Sequence, residues 1–356
     1  MNSAGIQSIN GIKYKGLEMP ELMRAVEAVD FAIDDLRLCE RAMPSVRDGE
    51  VLIKIEAASL NYRDLAILDQ KFMPHLNLPY VPCSDCSGQV VKVGGGVTRF
   101  KEGDRVIPVY TQGWYSGKPT QQQRTTKTLG APLSGVLQEY IVVPEQEAVI
   151  AAATLTAKEC ATLPIAALTA WNALEQGGIK SGDTVLVQGT GGVALFALQF
   201  AKMAGAKVIL TSSSDEKLSQ AKQLGADVGI NYKTHSNWGA LAKEATGGRG
   251  VDIVIETTGY TLSESLSAVC FGGFVGVIGF VGGHEATISV KSLLGPFIRM
   301  QGIAVGSRLQ FEAMVRAIDY HGIKPVIDSS FLLKNAADAF RHLKSGKHVG
   351  KIVIEI

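Results

Sequence analysis

The stretch "VQGTGGVALFALQFAKMAGAKVILTSSS", residues 187–214, decides the fold. It reads as strand, glycine turn, helix and strand in succession. The run "TVLVQ" (184–188) is short and continuously apolar up to its last residue, as in a strand covered on both faces. Gly189, Gly191 and Ala194 then fit G-x-G-x-x-G/A, with Gly192 in addition. The first glycine permits the tight turn, and the second lets backbone N–H groups approach a pyrophosphate. The small third residue lets helix pack on strand. The helix N-terminus faces the phosphates with partial positive charge. In a chain with 39 glycines the pattern alone is weak. Its place between a strand and a helix, followed by a second strand, is the context a dinucleotide site requires. Gly189, Thr190, Gly191, Gly192 and Val193 are the candidate phosphate turn. A turn of purely structural purpose is the competing reading.

The quoted stretch ends on "TSSS", where a dinucleotide unit often carries an acid for the ribose 2′-hydroxyl. Ser212 or Ser213 takes that place. Hydroxyls do not repel a 2′-phosphate and can donate hydrogen bonds to it. Lys217 could add a counter-charge and Tyr232 a further donor. This set favours NADPH over NADH. The rival readings are that the serines cap a helix, that Lys217 is a solvated surface charge, or that Asp215 reaches the ribose.

Outward from this unit, strands and helices alternate from about residue 184 to 306, which predicts an open parallel sheet of about six strands. "GFVGVIGF" and "QGIAVG" are its last two strands, with Phe280 and Ser307 at or just past their C-terminal ends. Residues 23 to about 150 read differently. "EVLIKIEA" alternates with period two, and short strand-like runs are separated by glycine and proline turns, as in a small barrel. The stretch 110–135 is a long polar loop carrying Tyr110, Trp114 and Tyr115, a candidate pocket wall. The tail from about residue 307 is expected to return to the first domain, and residues 1–22 form an extension.

The formal net charge of +1 offers no field for nucleic acid or an anionic membrane surface. No apolar run reaches the about 20 residues of a membrane helix. Five scattered cysteines do not make a disulfide framework, so a reducing, cytoplasmic setting is expected. Cys83 and Cys86 form one C-x-x-C, read as two small buried thiols, with a redox pair or metal site as alternatives. The six histidines show no ligand spacing.

Further motifs are "GEVLIKIEAASLNYRDL", "SGQVVKVGGGVTRFKEGDRVIP", "LPIAALTAWNAL", "DEKLSQAKQLGAD", "GGRGVDIVIETTG" and the closing "GKIVI". With the glycine turn, they make the chain resemble the medium-chain dehydrogenase/reductase superfamily, in particular its zinc-independent quinone oxidoreductase branch. The resemblance covers residues 23–356. It implies an α/β protein with a GroES-like β-barrel domain in two segments (23–160 and 308–356) around a Rossmann domain (161–307). It also implies a coenzyme in the cleft and a homodimer formed through the Rossmann sheets.

In zinc-dependent members the metal is held by a Cys and a His-Glu pair whose places fall here on Asn61 and on Ser84-Asp85. Asn and Ser do not suit zinc, so no metal is expected. Hydride transfer leaves negative charge on the acceptor. A quinone or α,β-unsaturated carbonyl delocalises that charge and needs only a hydrogen-bond donor, whereas a simple carbonyl needs a stronger electrophile. By the resemblance, Asn61 and Tyr62 line the reacting end, Asp64 orients its neighbours and Thr169 lies beneath the nicotinamide. The expected partner is a small conjugated carbonyl substrate. An alcohol dehydrogenase, an enoyl-thioester reductase and a non-catalytic NADPH-binding protein remain as alternatives.

Overall fold

Six parallel strands built from residues 184–302 form one sheet. In spatial order they are Val228–Asn231, Lys207–Ser212, Thr184–Gln188, Val251–Glu256, Val269–Val277 and Arg299–Gly302. Counted along the chain this is the doubly wound order 3-2-1-4-5-6. A computed structural model describes residues 21–356 except Pro74 and His284. The extension read at residues 1–22 thus lies outside the described residues save for its last two. In the central strand Val185, Leu186 and Val187 are fully buried, each contributing about 1.5–3 kcal/mol of apolar burial.

The second sheet has seven strands. Ile327–Leu332, Lys351–Glu355, Glu50–Ser59, Asp85–Val93, Arg105–Pro108 and Ala148–Ile150 lie in that order, and Tyr140–Pro144 pairs beside Glu50–Ser59. Chain segments nearly 300 residues apart in sequence meet in it, because the last strand adds antiparallel to Glu50–Ser59, with Val353 opposite Ser59. The alternation of "EVLIKIEA" places Val51, Ile53 and Ile55 in the barrel core. The helix Arg308–His321 bridges the two halves: Phe311, Met314 and Ile318 join the core that holds the Rossmann strands, while Arg99 pairs with Glu312 (3.0 Å) and Thr154 N–H donates to Asp319 (2.9 Å) on the barrel segment.

Three local expectations change. The last two Rossmann strands start and stop earlier than read, at Val269–Val277 and Arg299–Gly302. After Gly302 the backbone is claimed by a neighbouring helix, Leu168–Gly177: Val305 N–H donates to Thr169 Oγ1 (3.1 Å) and Asn172 Nδ2 donates to Val305 O (2.6 Å). Ser307 therefore lies five residues beyond its strand, and Phe280 three beyond its own. Second, "LPIAAL" is not plain helix: residues 163–167 form a π turn. Third, the long polar loop is no loose wall. Tyr110 and Trp114 are buried, Trp114 Nε1 donates to Gly117 O, and a short helix Gln121–Thr126 forms within it.

Candidate active site

The glycine turn sits at the seam of the two sheets. Gly189 has φ +80°, which favours glycine, and nothing lies within 4 Å of where its Cβ, or that of Gly191, would be. The turn is therefore an open cradle above the helix Gly192–Met203, with room for a phosphate group. Gly192 is the opposite case. A Cβ there would lie 2.5 Å from Lys351 Cδ and 3.2 Å from Ala166 Cβ. Gly350 N–H donates to Thr190 O (2.9 Å), so the last strand of the barrel docks directly on the turn.

Beside the cradle a buried carboxylate missed by sequence reasoning sets the next loop. Glu256 ends its strand fully buried and accepts from Gln188 Nε2 (2.7 Å), Ser265 Oγ (2.5 Å) and the N–H groups of Thr258 and Gly259 (both 3.0 Å). The available signal was an acid at the end of the apolar run "VDIVIE", where a strand tip enters a cleft.

At the serine cluster Ser212 is the last residue of its strand, and Tyr232 N–H donates to its carbonyl (3.0 Å). The helix cap falls to Ser214, which accepts from Lys217 N–H (3.3 Å). Among the described residues the hydroxyls of Ser212 and Ser213 make no hydrogen bond, and Ser213 is exposed. Asp215 is engaged elsewhere, accepting from Asn231 Nδ2 (2.9 Å). Lys217 is not a free surface charge. Its ammonium donates to Gly346 O (3.0 Å) and His348 O (3.1 Å), across the seam.

The other end is buried. Asn61 begins the helix Tyr62–Leu68, and Asp64 Oδ2 accepts its backbone N–H (2.8 Å). The orienting part read for Asp64 is thus present as a helix-capping bond. Tyr62 meets Phe280 edge to face, with ring centroids 6.0 Å apart. Arg63 lies over the Tyr110 ring at 5.1 Å and donates to Ala131 O. Thr169 is buried and accepts from Val305 N–H, and Ser307 caps the helix Arg308–His321 by accepting from Gln310 N–H (3.3 Å).

Two buried groups complete this end. Ser84 Oγ donates to Asp85 Oδ1 (2.9 Å), and the π turn frees Ile165 N–H to donate to Asp85 Oδ2 (3.0 Å). Lys351, at the start of the last strand, donates to Leu60 O (2.5 Å) and Asn61 Oδ1 (2.6 Å). Sequence reasoning read "GKIVI" only as a landmark and missed this lysine. The sole signal was a charge heading an apolar strand. Burial pushes the Asp64 carboxyl up to about 6 against the pull of Arg63. It raises Asp85 against Lys351, and lowers Lys351 against both aspartates. The thiols of Cys83 and Cys86 are buried and pushed up by that burial and by the nearby aspartates, the opposite of a reactive pair.

These donors do not suit zinc. An amide, a hydroxyl and one carboxylate stand beside an ammonium. Among the described residues no group of three or more His, Cys, Asp or Glu could hold a metal ion. The cradle at the other end does suit a dinucleotide.

A GroES-like barrel sharing its seam with a Rossmann sheet, and a glycine turn on that seam, define an oxidoreductase that uses a nicotinamide coenzyme. Comparison with known proteins agrees. Residues 47–153 match the alcohol dehydrogenase GroES-like domain and residues 192–319 the zinc-binding dehydrogenase domain. A zinc-type alcohol dehydrogenase-like protein of Schizosaccharomyces pombe is 42% identical over 332 residues, 91% of this chain and 96% of the relative. The 2-methylene-furan-3-one reductase of Solanum lycopersicum is 32% identical over 360 residues, 99% of this chain and 84% of the relative. A crystal structure from Sinorhizobium meliloti 1021, provisionally named an alcohol dehydrogenase, superposes with a TM-score of 0.90 at 44% identity, covering 95% of this chain and all of that one. The chain belongs to the medium-chain dehydrogenase/reductase superfamily. The zinc-binding name attaches to a match over residues 192–319, which contains neither Asn61 nor Ser84-Asp85.

Proposed function

We propose that this oxidoreductase is a zinc-independent, NADPH-dependent reductase of quinones or α,β-unsaturated carbonyls. One observation carries the reading: where a Lewis acid would have to sit, the chain offers Asn61, Ser84 and Asp85 around a lysine ammonium. Such a site can donate hydrogen bonds but cannot polarise a simple carbonyl as a metal does. The tomato relative, a reductase of a conjugated ketone by its name, supports the same substrate class.

When bound, the coenzyme supplies the hydride. Gly189, Thr190, Gly191, Gly192 and Val193 would hold its pyrophosphate. Thr169, Phe280 and Ser307 would border the nicotinamide. Ser212, Ser213, Lys217 and Tyr232 would take the 2′-phosphate, with Asp215 held by Asn231. Asn61 Nδ2 and the Tyr62 hydroxyl are the donors for the substrate oxygen as charge grows on it, and water completes protonation. Tyr62 and Phe280 form an aromatic corner suited to a flat substrate.

The test follows NADPH absorbance against a panel of quinones, enones and simple aldehydes, with NADH and a chelator as controls. Turnover of conjugated acceptors that survives chelation is expected. Chelator-sensitive activity on simple alcohols or aldehydes would establish the alcohol dehydrogenase reading, which the names of two relatives favour. Binding of NADPH without turnover would leave a non-catalytic role. The homodimer belongs to the same proposal. Arg299–Gly302 is an open sheet edge, and Phe271, Phe297, Leu294 and Val290 stand exposed beside it. Phe297→Asp should convert a sedimenting dimer to monomer. An unaltered sedimentation coefficient rules this surface out.

A further inference from the structure

Lys351 is a charged residue only 4% exposed, and its place is unusual. Its stem lies against Gly192 of the glycine turn, and its head enters the reacting end of the barrel. It keeps company there with Asp64 and Asp85, both fully buried, and Asp64 Oδ1 has no hydrogen-bond partner. Burying three ionisable groups is expensive, and apolar residues of like volume would commonly be as stable or more so. Stability is therefore a poor reason for the arrangement.

Chemistry suggests a better one. An ammonium has three donors and no acceptor. A lysine 2.6 Å from an amide obliges that amide to turn its oxygen inward. Both N–H donors of Asn61 are then on its other arm, which faces Ser59 O at a long 3.5 Å and the buried Asp85 carboxylate. We propose that Lys351 is a positioning residue: it fixes Asn61 as a hydrogen-bond donor toward the substrate oxygen, and its stem couples that orientation to the coenzyme turn through Gly192. The proposal rests on the assignment of Asn61 to the reacting end.

Without Lys351 the amide is free to flip, and a flipped amide presents an acceptor to a developing negative charge. K351M keeps the stem and removes the charge. It should lower kcat by about 30-fold, less than removal of a whole oxyanion donor. The dissociation constant for NADPH, read by coenzyme fluorescence, should move by less than about threefold. In an N61A background the same substitution should cost less than about threefold, since the two act as one unit. Asn61→Asp retains a partner for Lys351 but has no N–H to offer, so it should lose kcat as N61A does. A second readout needs no turnover. In 15N spectra of the full chain, the Asn61 side-chain amide (identified by its loss in N61A) should be one slowly exchanging pair. In K351M it should broaden or exchange rapidly.

Three results would overturn the proposal: an unchanged Asn61 amide signal in K351M, the full K351M effect persisting in N61A, or NADPH affinity falling in step with kcat. The last would make Lys351 a coenzyme ligand. Should K351M fail to fold, D85N/K351M removes charge from both sides and takes the same measurements. If the wild-type chain turns over no conjugated acceptor, the functional reading fails, while the spectra still report whether Lys351 orients Asn61.

Discussion

The two ends of the cleft use similar side chains at very different depths. At the proposed adenosine side Ser213 and Lys217 stand in or near solvent, where unit charges 4 Å apart interact by about 1 to 4 kcal/mol. At the reacting end Asp64, Asp85 and Lys351 are buried, and each is pushed toward its neutral form. The shallow end can choose between ligands by charge, modestly and in a salt-dependent way. The deep end can hold orientation, and a misplaced group there costs far more.

The largest effect should follow from the deep end. Asn61→Ala is expected to lower kcat on a conjugated acceptor by about 100-fold, the scale of losing one donor to a developing oxyanion. NADPH affinity should stay within about threefold, so a steady-state kcat and KM series with coenzyme titration checks it. A loss of affinity at constant kcat would erase the distinction between the two ends.

Titration sharpens it next, because the two ends carry groups of opposite sign. Asp64 at the deep end has its carboxyl raised to about 6, so between about pH 4 and 6 the folded chain keeps a proton that the unfolded chain releases. Stability from this group falls as pH rises through that window, by about 3 kcal/mol in all. His348, whose carbonyl receives Lys217, has its imidazole lowered to about 4 by burial. It must stay neutral in the folded chain while the unfolded chain takes a proton below about 6.5. Its contribution is present above pH 6.5 and lost as pH falls toward 4. Urea midpoints from pH 4 to 7 should therefore steepen in opposite directions: D64N leaves a curve that rises with pH, and His348→Asn one that falls. Parallel curves for the two variants would show that these sites do not differ in the way described.

How much of this contrast could be read from sequence follows the same division. The glycine turn, the serine cluster and the six-strand alternation are local patterns set by neighbouring residues, and they were legible. The deep end is assembled from residues 61, 85, 165 and 351, and no short-range pattern announces that Lys351 will face Asn61. The π turn at 163–167 was hidden because "LPIAAL" has helical composition. What distinguishes it is an external acceptor, Asp85, that takes Ile165 N–H out of the helical ladder. Thr169, expected beneath a nicotinamide, is buried in its helix, and its partner, Val305, comes from a segment read as strand. In each case a long-range polar contact overrode a local preference.

A carboxylate brought to the shallow end should have an intermediate effect. Ser213→Asp sets a negative charge where a 2′-phosphate would lie. It should weaken NADPH by about 10- to 30-fold, roughly 1.4 to 2 kcal/mol, and leave NADH unchanged or improved. Paired fluorescence titrations decide it, and equal losses for both coenzymes would mean that Ser213 does not meet the phosphate.

The smallest expected effect discriminates most finely, because Lys217 already has partners. Its ammonium bridges to Gly346 O and His348 O, and so ties the Rossmann side to the returning segment. If that tie were its only task, Lys217→Ala would weaken NADPH and NADH alike through looser closure. If the ammonium also meets a 2′-phosphate, only NADPH suffers. The loss should be about fivefold, or about 1 kcal/mol, as for a partly solvated charge pair. It should shrink toward nothing as salt is raised, since the Debye length falls to about 3 Å at 1 M. K217R keeps charge and reach and should recover most of the difference. A selective, salt-sensitive loss would place charge discrimination at the shallow end of the cleft. An equal, salt-independent loss for both coenzymes would make Lys217 only a tie to the returning segment and leave the serines alone to account for any preference.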